Sequence, residues 1–374
     1  MRKRDKARTM NGFKLIYSLI CLLPMLLFWC VGCTSGGEGL PSDDMETDIL
    51  INWSVEFDTI SQSRALVDNT ILQTACSPSE DGFEAIGIWG KYDVNEDGTT
   101  STYELFDNVP LTFAAKGDYT NPYNNWNYPG KSPYWRLGAE YSFRACFPQS
   151  LMNDLMTEMS ATVFQGTINT STLQEDILVA ATKVNTKTDD FTGPVRLCLQ
   201  HIFAAIQFKV KSAEGFNPAD GEGVTSCWLQ NNSNATDLFS ASGYLVHSGD
   251  AAPEIIWHPH ASSATPMYVW KHQGMSFKTE NTLYTPDGTL DGEEYTHNDG
   301  WLLVVPQTVK DETLQFCYTL KHAGEQVFSV NIPSVTYGYG KRYTYVLEIR
   351  GSEADVSLTI KSWNHLDSNY EIIM

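Results

Sequence analysis

Residues 314–362 read LQFCYTLKHAGEQVFSVNIPSVTYGYGKRYTYVLEIRGSEADVSLTIKS, and apolar side chains alternate with polar ones through most of this stretch. The alternation places four sets of residues each on one face: Phe316, Tyr318 and Leu320; Phe328, Val330 and Ile332; Tyr343, Tyr345, Leu347 and Ile349; and Val356, Leu358 and Ile360. A period of two is typical of half-buried strands. Turn-forming residues separate the sets at Ala323-Gly324, 337–340 and Gly351-Ser352. The stretch therefore predicts a run of antiparallel strands, as in a β-sandwich.

The remaining sequence has the same character. Aromatic residues make up 12% of the chain, and clusters of Gly, Asn and Asp recur between short apolar segments. The clearest helical candidate is short, from Ser150 to Ala161. More than 300 residues exceed what one hydrophobic core usually accommodates, so the length favours two domains. We expect an all-β protein with two antiparallel β-sandwich domains.

The boundary between these domains is placed near residue 192. Residues 182–193 are mostly polar, and a long strand-like segment follows from Val195 to Val210. Its alternation changes phase, and a β-bulge near Gln200-His201 would reconcile the two phases. The predicted domains are residues 33–192 and 193–374.

The N-terminus has the pattern of a secretory signal peptide that ends in a lipoprotein cleavage site. Six basic residues within 1–14 precede a mostly apolar run, 15–29, and Val31-Gly32-Cys33 then places small residues before a cysteine. The alternative is a retained transmembrane helix, but Pro24 interrupts the run, which is shorter than the ~20 residues a spanning helix needs. We therefore predict a signal peptide over 1–32 and lipidation of Cys33, which would tether the mature chain outside the cytoplasm.

Charge and cysteine content exclude some classes of protein. The chain has 25 basic and 45 acidic residues, and residues 1–32 hold six of the basic and one of the acidic ones, so the mature chain carries 19 − 44 = −25. Such a surface repels nucleic acid, and no nucleic-acid partner is expected. The other mature cysteines are odd in number and lack CxxC spacing, which argues against a disulfide framework and favours mostly buried thiols. They are Cys76, Cys146, Cys198, Cys227 and Cys317.

Motifs for chemistry are scarce. Residues 93–104 fit the calcium-loop pattern D-x-[DN]-x-[DN]-G-x5-E, but strand-like segments flank them, so an acidic hairpin tip explains the same letters. His258-Pro259-His260 is interpreted as a surface turn rather than a metal site. No catalytic residues, metal site or cofactor are predicted.

Several ordered landmarks together resemble one known family. They are Ser63-Arg64-Ala65, Ala85-Ile86-Gly87-Ile88-Trp89, Tyr134-Trp135 with Tyr141-Ser142-Phe143, Leu199-Gln200-His201-Ile202-Phe203-Ala204, Trp301-Leu302-Leu303-Val304-Val305-Pro306-Gln307 and Tyr343-Thr344-Tyr345. With the lipoprotein signal ahead of them, they resemble the fimbrillin family of Bacteroidetes surface pilins, also called Mfa-like or FimA-like proteins. The resemblance implies two transthyretin-like sandwich domains, assembly into fimbriae on the outer membrane, and no catalytic residues. It also implies that a trypsin-like protease cuts after an arginine, and that loss of the first strand opens a groove for a neighbouring subunit's strand.

The residues before Arg64 support that mechanism independently of the family resemblance. Alternate apolar residues form one face of a predicted edge strand: Ile49, Ile51, Trp53, Val55 and Phe57. A mostly polar segment then leads to Arg64-Ala65, and Arg64 is the only basic residue between Cys33 and Ala65. An accessible segment of this kind is where proteolysis concentrates. The alternative is that residues 49–57 are simply the permanent first strand.

The function expected from the sequence is a structural, non-enzymatic fimbrial subunit that supports adhesion at the surface of the outer membrane. Its expected partners are other fimbrial subunits, the outer membrane through the lipid anchor, and a maturation protease. The main alternative is a surface glycan-binding lipoprotein, and a calcium-dependent hydrolase comes third.

Overall fold

The computed structural model describes residues 46–57, 69–78, 83–114, 125–130, 133–170, 175–216, 223–231, 236–246, 254–261, 268–271, 281–282, 301–310, 313–321, 325–350, 353–362 and 370–373. In the first half of the chain, the described residues form two short helices and eleven strands. In chain order they are β1 Glu46–Leu50, β2 Trp53–Phe57, α1 Asn69–Ala75, β3 Ile86–Glu96, β4 Thr99–Phe113, β5 Trp126–Asn127, β6 Tyr134–Arg136, β7 Ala139–Phe147, α2 Gln149–Leu155, β8 Met156–Met159, β9 Phe164–Asn169, β10 Leu178–Asn185 and β11 Val195–His201. Neither helix is long and apolar enough to cross a membrane, and no other helix occurs in the residues described.

The second half consists of strands. They are β12 Ala204–Ser212, β13 Gly223–Asn231, β14 Thr236–Val246, β15 Glu254–Ala261, β16 Tyr268–Lys271, β17 Asn281–Thr282, β18 Leu302–Val304, β19 Gln307–Val309, β20 Leu314–Lys321, β21 Glu325–Asn331, β22 Val335–Tyr337, β23 Lys341–Arg350, β24 Glu353–Ser362 and β25 Tyr370–Ile373. The all-β class predicted from the alternation is confirmed.

The strands form two large and several small sheets. A seven-stranded sheet has the order β2-β11-β10-β7-β3-β4-β5, and a six-stranded sheet has the order β17-β12-β23-β24-β25 with β18 also paired to β12. Two four-stranded sheets, β16-β13-β20-β21 and β15-β14-β9-β8, and the pairs β1-β6 and β19-β22 complete the architecture. Most pairings are antiparallel, but β2 with β11 and β12 with β23 are parallel.

Three clusters of buried apolar side chains fill the space between these sheets. One packs inside the seven-stranded sheet, around Trp53, Phe106 and Phe143. A second is built mainly from the six-stranded sheet and the sheet of β13 and β20, and includes Phe208, Phe316 and Tyr345. The third joins residues of β3, β9, β12 and β18.

The alternating stretch 314–362 folds into the strands its sequence predicts, with one rearrangement. β20 pairs with β21 and β23 pairs with β24, both antiparallel. However, the two hairpins belong to different sheets. The local alternation therefore predicts each strand and its buried face. It does not predict which sheet each hairpin joins, because that depends on contacts with distant strands.

Two expectations about local structure were wrong. The segment 195–210 is two strands, because β11 joins the seven-stranded sheet and β12 the six-stranded one, with Ile202-Phe203 between them. The change of phase in the alternation therefore marks a change of sheet rather than a bulge. The predicted helix 150–161 ends at Leu155, where the chain continues as β8. The division into domains at residue 192 remains a prediction.

Candidate functional site: the first-strand segment

Residues 46–57, called here the first-strand segment, pair with two different strands, β6 and β11. Its first half, β1, pairs antiparallel with β6, and its second half, β2, runs parallel to β11 at the edge of the seven-stranded sheet. The amide of Ile51 donates to the carbonyl of Pro133 (2.9 Å), and the amide of Val195 donates to the carbonyl of Asn52 (2.7 Å). β2 also contacts β5, so the two edges of the sheet approach each other across this segment.

The buried face of the segment carries the residues predicted from the sequence. Ile51 is fully buried, Trp53 is 1% exposed and Val55 is 9% exposed, while Ile49 is half-buried. On the alternate positions, Leu50 and Glu56 are exposed. The alternation of buried and exposed side chains is confirmed from Ile49 to Glu56.

Trp53 is enclosed by aromatic rings. Its ring meets Phe106, Phe143 and Tyr128 edge-on, at centroid distances of 5.4, 5.3 and 6.5 Å. Edge-to-face pairs of this kind add to the free energy of area burial. The sequence contained no sign of these partners, because they come from strands and a loop 53 to 90 residues away.

The segment differs from the sequence prediction in its continuity. The single strand expected over 49–57 is two strands, since the chain passes from β6 to β11 at Ile51-Asn52. Phe57 has the expected register, opposite Leu199, but its side chain lies outside the described residues.

Residues on both sides of the segment make contacts of their own. Val195, Leu197 and Leu199 of β11 are buried beside it. On the other side, the amide of Arg136 donates to the hydroxyl of Tyr141 (2.7 Å), and its guanidinium donates to Glu96 Oε1 (2.9 Å). The two hydrogen bonds of Arg136 do not involve residues 46–57, so they would hold Arg136 in place without the segment.

The thiols are mostly buried, as predicted, with one exception beside the segment. Cys76, Cys146, Cys227 and Cys317 are buried and free, whereas Cys198 on β11 is exposed. Burial raises the pKa of the Cys76 thiol to about 12, with a smaller contribution from the negative charge of Glu84. Cys198 lies opposite Glu56 in the parallel register.

The predicted lipidation and cleavage residues, Cys33, Arg64 and Ala65, lie outside the described residues. The lipid anchor and the cleavage point therefore stay predictions.

The acidic motif is a hairpin tip, as expected. β3 and β4 pair through 96↔99, and Asp97 and Gly98 have φ of 53° and 80°, the conformation that suits a two-residue turn. The carboxylate of Asp93 is engaged by the Lys91 ammonium (3.2 Å) and the Thr102 hydroxyl (2.6 Å). Among the residues described, no three His, Cys, Asp or Glu side chains group as metal ligands.

The two histidines at 258 and 260 lie on a strand, so the predicted surface turn was wrong. They belong to β15, which pairs with β14. His260 bonds the hydroxyls of Ser240 (2.9 Å) and Ser242 (3.0 Å), and His258 stacks on Tyr244.

Comparison with known proteins agrees with this geometry. No curated protein matches the sequence. Among solved structures, a fimbrial protein from Bacteroides vulgatus shares the fold with a TM-score of 0.51 at 13% identity, covering 84% of this chain and 99% of that one.

Two further structures have lower TM-scores. A candidate cell adhesion protein from Bacteroides uniformis has a TM-score of 0.41 at 19% identity (75% of this chain, 91% of that one). The tip fimbrial protein Mfa3 from Porphyromonas gingivalis has a TM-score of 0.31 at 12% identity (75% and 95%). The decisive finding is a sequence model described as fimbrillin-like, which matches residues 63–363, most of the chain. The chain therefore belongs to the fimbrillin-like family.

Proposed function

We propose that this protein is a structural, non-enzymatic subunit of a cell-surface fimbria, exported as a lipoprotein and assembled by exchange of the first-strand segment for a strand of another subunit. Family membership supports the fimbrial role. The observation that carries the exchange step is that residues 46–57 combine an edge position with deep burial. The segment is N-terminal, sits at a sheet edge, and yet buries Ile51 and Trp53 almost completely.

The energetics favour replacement once the segment is lost. Burying Ile51, Trp53 and Val55 contributes roughly 1.5–3 kcal/mol for each side chain. Removing them would expose the apolar side chains of β11 that lie beside the segment and would leave the backbone edge of β11 unpaired. A strand from another subunit with the same alternation would restore both the pairing and the burial by β-augmentation.

The release step is assigned to cleavage after Arg64, before Ala65. The segment ends at residue 57, and Arg64 is the first basic residue after it, so a trypsin-like protease meets no earlier target in the mature chain. Cleavage there would separate the first-strand segment, with the lipid-bearing N-terminus, from the rest of the subunit.

The test is Arg64→Ala in the native host. The expected product is a folded, membrane-tethered monomer with no high-mass polymer on denaturant-free gels, while the wild type polymerises. Substituting Lys310, an exposed basic residue beyond the segment, with alanine is the matched control and should leave polymerisation intact. Normal polymers from Arg64→Ala, or residues 49–57 retained in wild-type fimbriae, would favour the permanent-strand alternative.

The anchor is tested separately. Cys33→Ser should abolish fatty-acid labelling, because a serine hydroxyl cannot replace the thiol that is acylated. The neighbouring Cys30→Ser should leave labelling intact. Labelling that persists in the first variant, or disappears only in the second, would move the anchor from Cys33.

Glycan binding as the main function has less support. Stacking of a glycan on aromatic rings needs exposed aromatic faces, but Trp53, Trp89, Trp126 and Trp135 are buried. Those four tryptophans contribute to the core rather than to a binding surface.

A further inference from the structure

A polar cleft of about 460 Å³ opens on the face of the seven-stranded sheet opposite the core cluster around Trp53, beside the residues of that face that join the third cluster. Its floor consists of three neighbouring strands, β3, β7 and β10. Turns at Ala161-Thr162 and Thr188-Asp189 form its walls. Tyr92, Tyr141 and Phe143 are buried on one face of the sheet. Because side chains alternate along a strand, the residues next to them in sequence point into the cleft on the other face.

The register of the three strands sorts the floor into rows. From the Thr162 wall outward, the cross-strand rows are Trp89, Arg144 and Ala181; Lys91, Ser142 and Lys183; and Asp93, Glu140 and Asn185. The cations therefore lie toward the inner end and the carboxylates toward the outer end. One strand, β7, separates Lys91 on β3 from Lys183 on β10, so their Cα atoms are two strand spacings, about 10 Å, apart, with Ser142 between them.

Most charged groups of the cleft are already engaged. Arg144 donates to the carbonyls of Thr162 and Leu245, and burial lowers its pKa to about 10. Lys91 pairs with Asp93 at 3.2 Å, and the Asn185 amide donates to Glu140 at 3.3 Å.

Two groups in the middle row are different. The ammonium of Lys183 and the hydroxyl of Ser142 make no ion pair or hydrogen bond with any residue that the structure describes. Both line the cleft, and Lys183 is exposed. An uncommitted cation beside an uncommitted hydroxyl, on a protein that is otherwise strongly acidic, is suited to receive an anionic group.

We propose that this cleft binds an acidic sugar, with the sugar carboxylate on Lys183 and Ser142 and its hydroxyls on the outer row. Charge-assisted hydrogen bonds would hold the carboxylate. The oxygens of Glu140 and Asn185 accept hydrogen bonds from sugar hydroxyls, which a simple carboxylic acid lacks. The volume lies within the ~300–1,000 Å³ of small-molecule sites. No residue of the first-strand segment lines the site, so the proposal does not depend on strand exchange.

The experiment titrates the full chain with glucuronate, glucose and acetate, and follows binding by calorimetry or ligand-observed NMR. Glucuronate is expected to bind, with glucose and acetate each at least about tenfold weaker, because each lacks one half of the recognised chemistry. Lys183→Gln should weaken glucuronate binding about tenfold, and Ser142→Ala should weaken it less. Lys187→Gln removes the same charge from an exposed lysine that does not line the cleft, and should change nothing.

Three results would overturn the proposal. One is no glucuronate binding at millimolar concentrations by a protein whose thermal melt is normal. Another is equal affinity for glucuronate and acetate, which means a bare anion site. The third is an equal loss of affinity in Lys183→Gln and Lys187→Gln, which means general attraction by charge.

Discussion

At the scale of single residues, Trp53 is the side chain on which the first-strand segment depends most. It is 1% exposed and contacts three aromatic rings. Its neighbour Ser54 faces the other way and bonds only Glu56 among the partners described, at 3.2 Å. Substitutions at these two adjacent positions therefore distinguish the stability that comes from the buried face from the stability that comes from the backbone pairing.

Trp53→Ala in the uncleaved protein should lower the free energy of unfolding by about 3–5 kcal/mol, because it leaves a large cavity among the rings. Ser54→Ala is the control and should stay within about 0.5 kcal/mol. Urea denaturation, followed by circular dichroism, measures both. A loss below about 1 kcal/mol for Trp53→Ala would contradict a core role for this ring.

At the scale of elements, β2 has one hydrogen-bonded neighbour among the strands described, β11, although it also contacts β5. It pairs in parallel with β11 over five residues, from Trp53 opposite Val195 to Phe57 opposite Leu199. An edge strand with one partner can leave without breaking the rest of the sheet. The pairing of Glu56 with Cys198 offers a way to prevent that.

Glu56→Cys should form a disulfide with Cys198. Neighbouring strands lie about 4.8 Å apart, within the ~4.4–6.8 Å that Cα atoms of a disulfide span. The expected result is cleavage after Arg64 without polymerisation, since the cut segment stays attached, and recovery of polymers on reduction.

The control combines Glu56→Cys with Cys198→Ser, which cannot form the bond and should polymerise without reductant. Gel analysis with and without reductant is the measurement. Polymers from a fully oxidised Glu56→Cys sample would show that assembly does not require release of β2.

At the scale of the whole molecule, a cluster of polar side chains, Asp176, His201 and Arg342, lies where the two large sheets meet. His201 Nδ1 and Asp176 Oδ2 lie 2.7 Å apart at the ends of β11 and β10, and both side chains are almost fully buried. Arg342 of the six-stranded sheet lies over the ring of Trp301 at 5.1 Å. Burial lowers the pKa of Arg342 to about 10, and the negative charge of Asp176 opposes that shift.

Asp176→Ala should therefore destabilise the protein by about 3–5 kcal/mol, because it removes the counter-charge of the Arg342 guanidinium and the hydrogen-bond partner of His201 Nδ1. Asp355→Ala is the matched control. Asp355 pairs with Arg350 at 3.3 Å but is 71% exposed, so its loss should cost about 0–1 kcal/mol. Urea unfolding of both variants measures the difference. Similar values for the two would mean that the buried pair does not stabilise the junction.

Much of the fold follows from local patterns. Alternation with period two predicts β20, β21, β23 and β24, and the buried face of residues 49–55, because adjacent side chains on a strand must point to opposite faces. The Asp97-Gly98 turn follows from its residue types, since both positions have positive φ. These features depend on near neighbours in the chain, so they could be predicted without knowledge of the fold.

Other features depend on which distant segments meet. The parallel pairing of β2 with β11, the division of β20–β21 and β23–β24 between two sheets, and the rings around Trp53 all join residues far apart in sequence. The same is true of the row Lys91, Ser142 and Lys183, which strand register alone brings together. Alternation states that a face is buried but not which strand buries it, because many partners satisfy the same period. The choice of partner strand is made in the folded protein, by the packing of whole faces and the register of their hydrogen bonds.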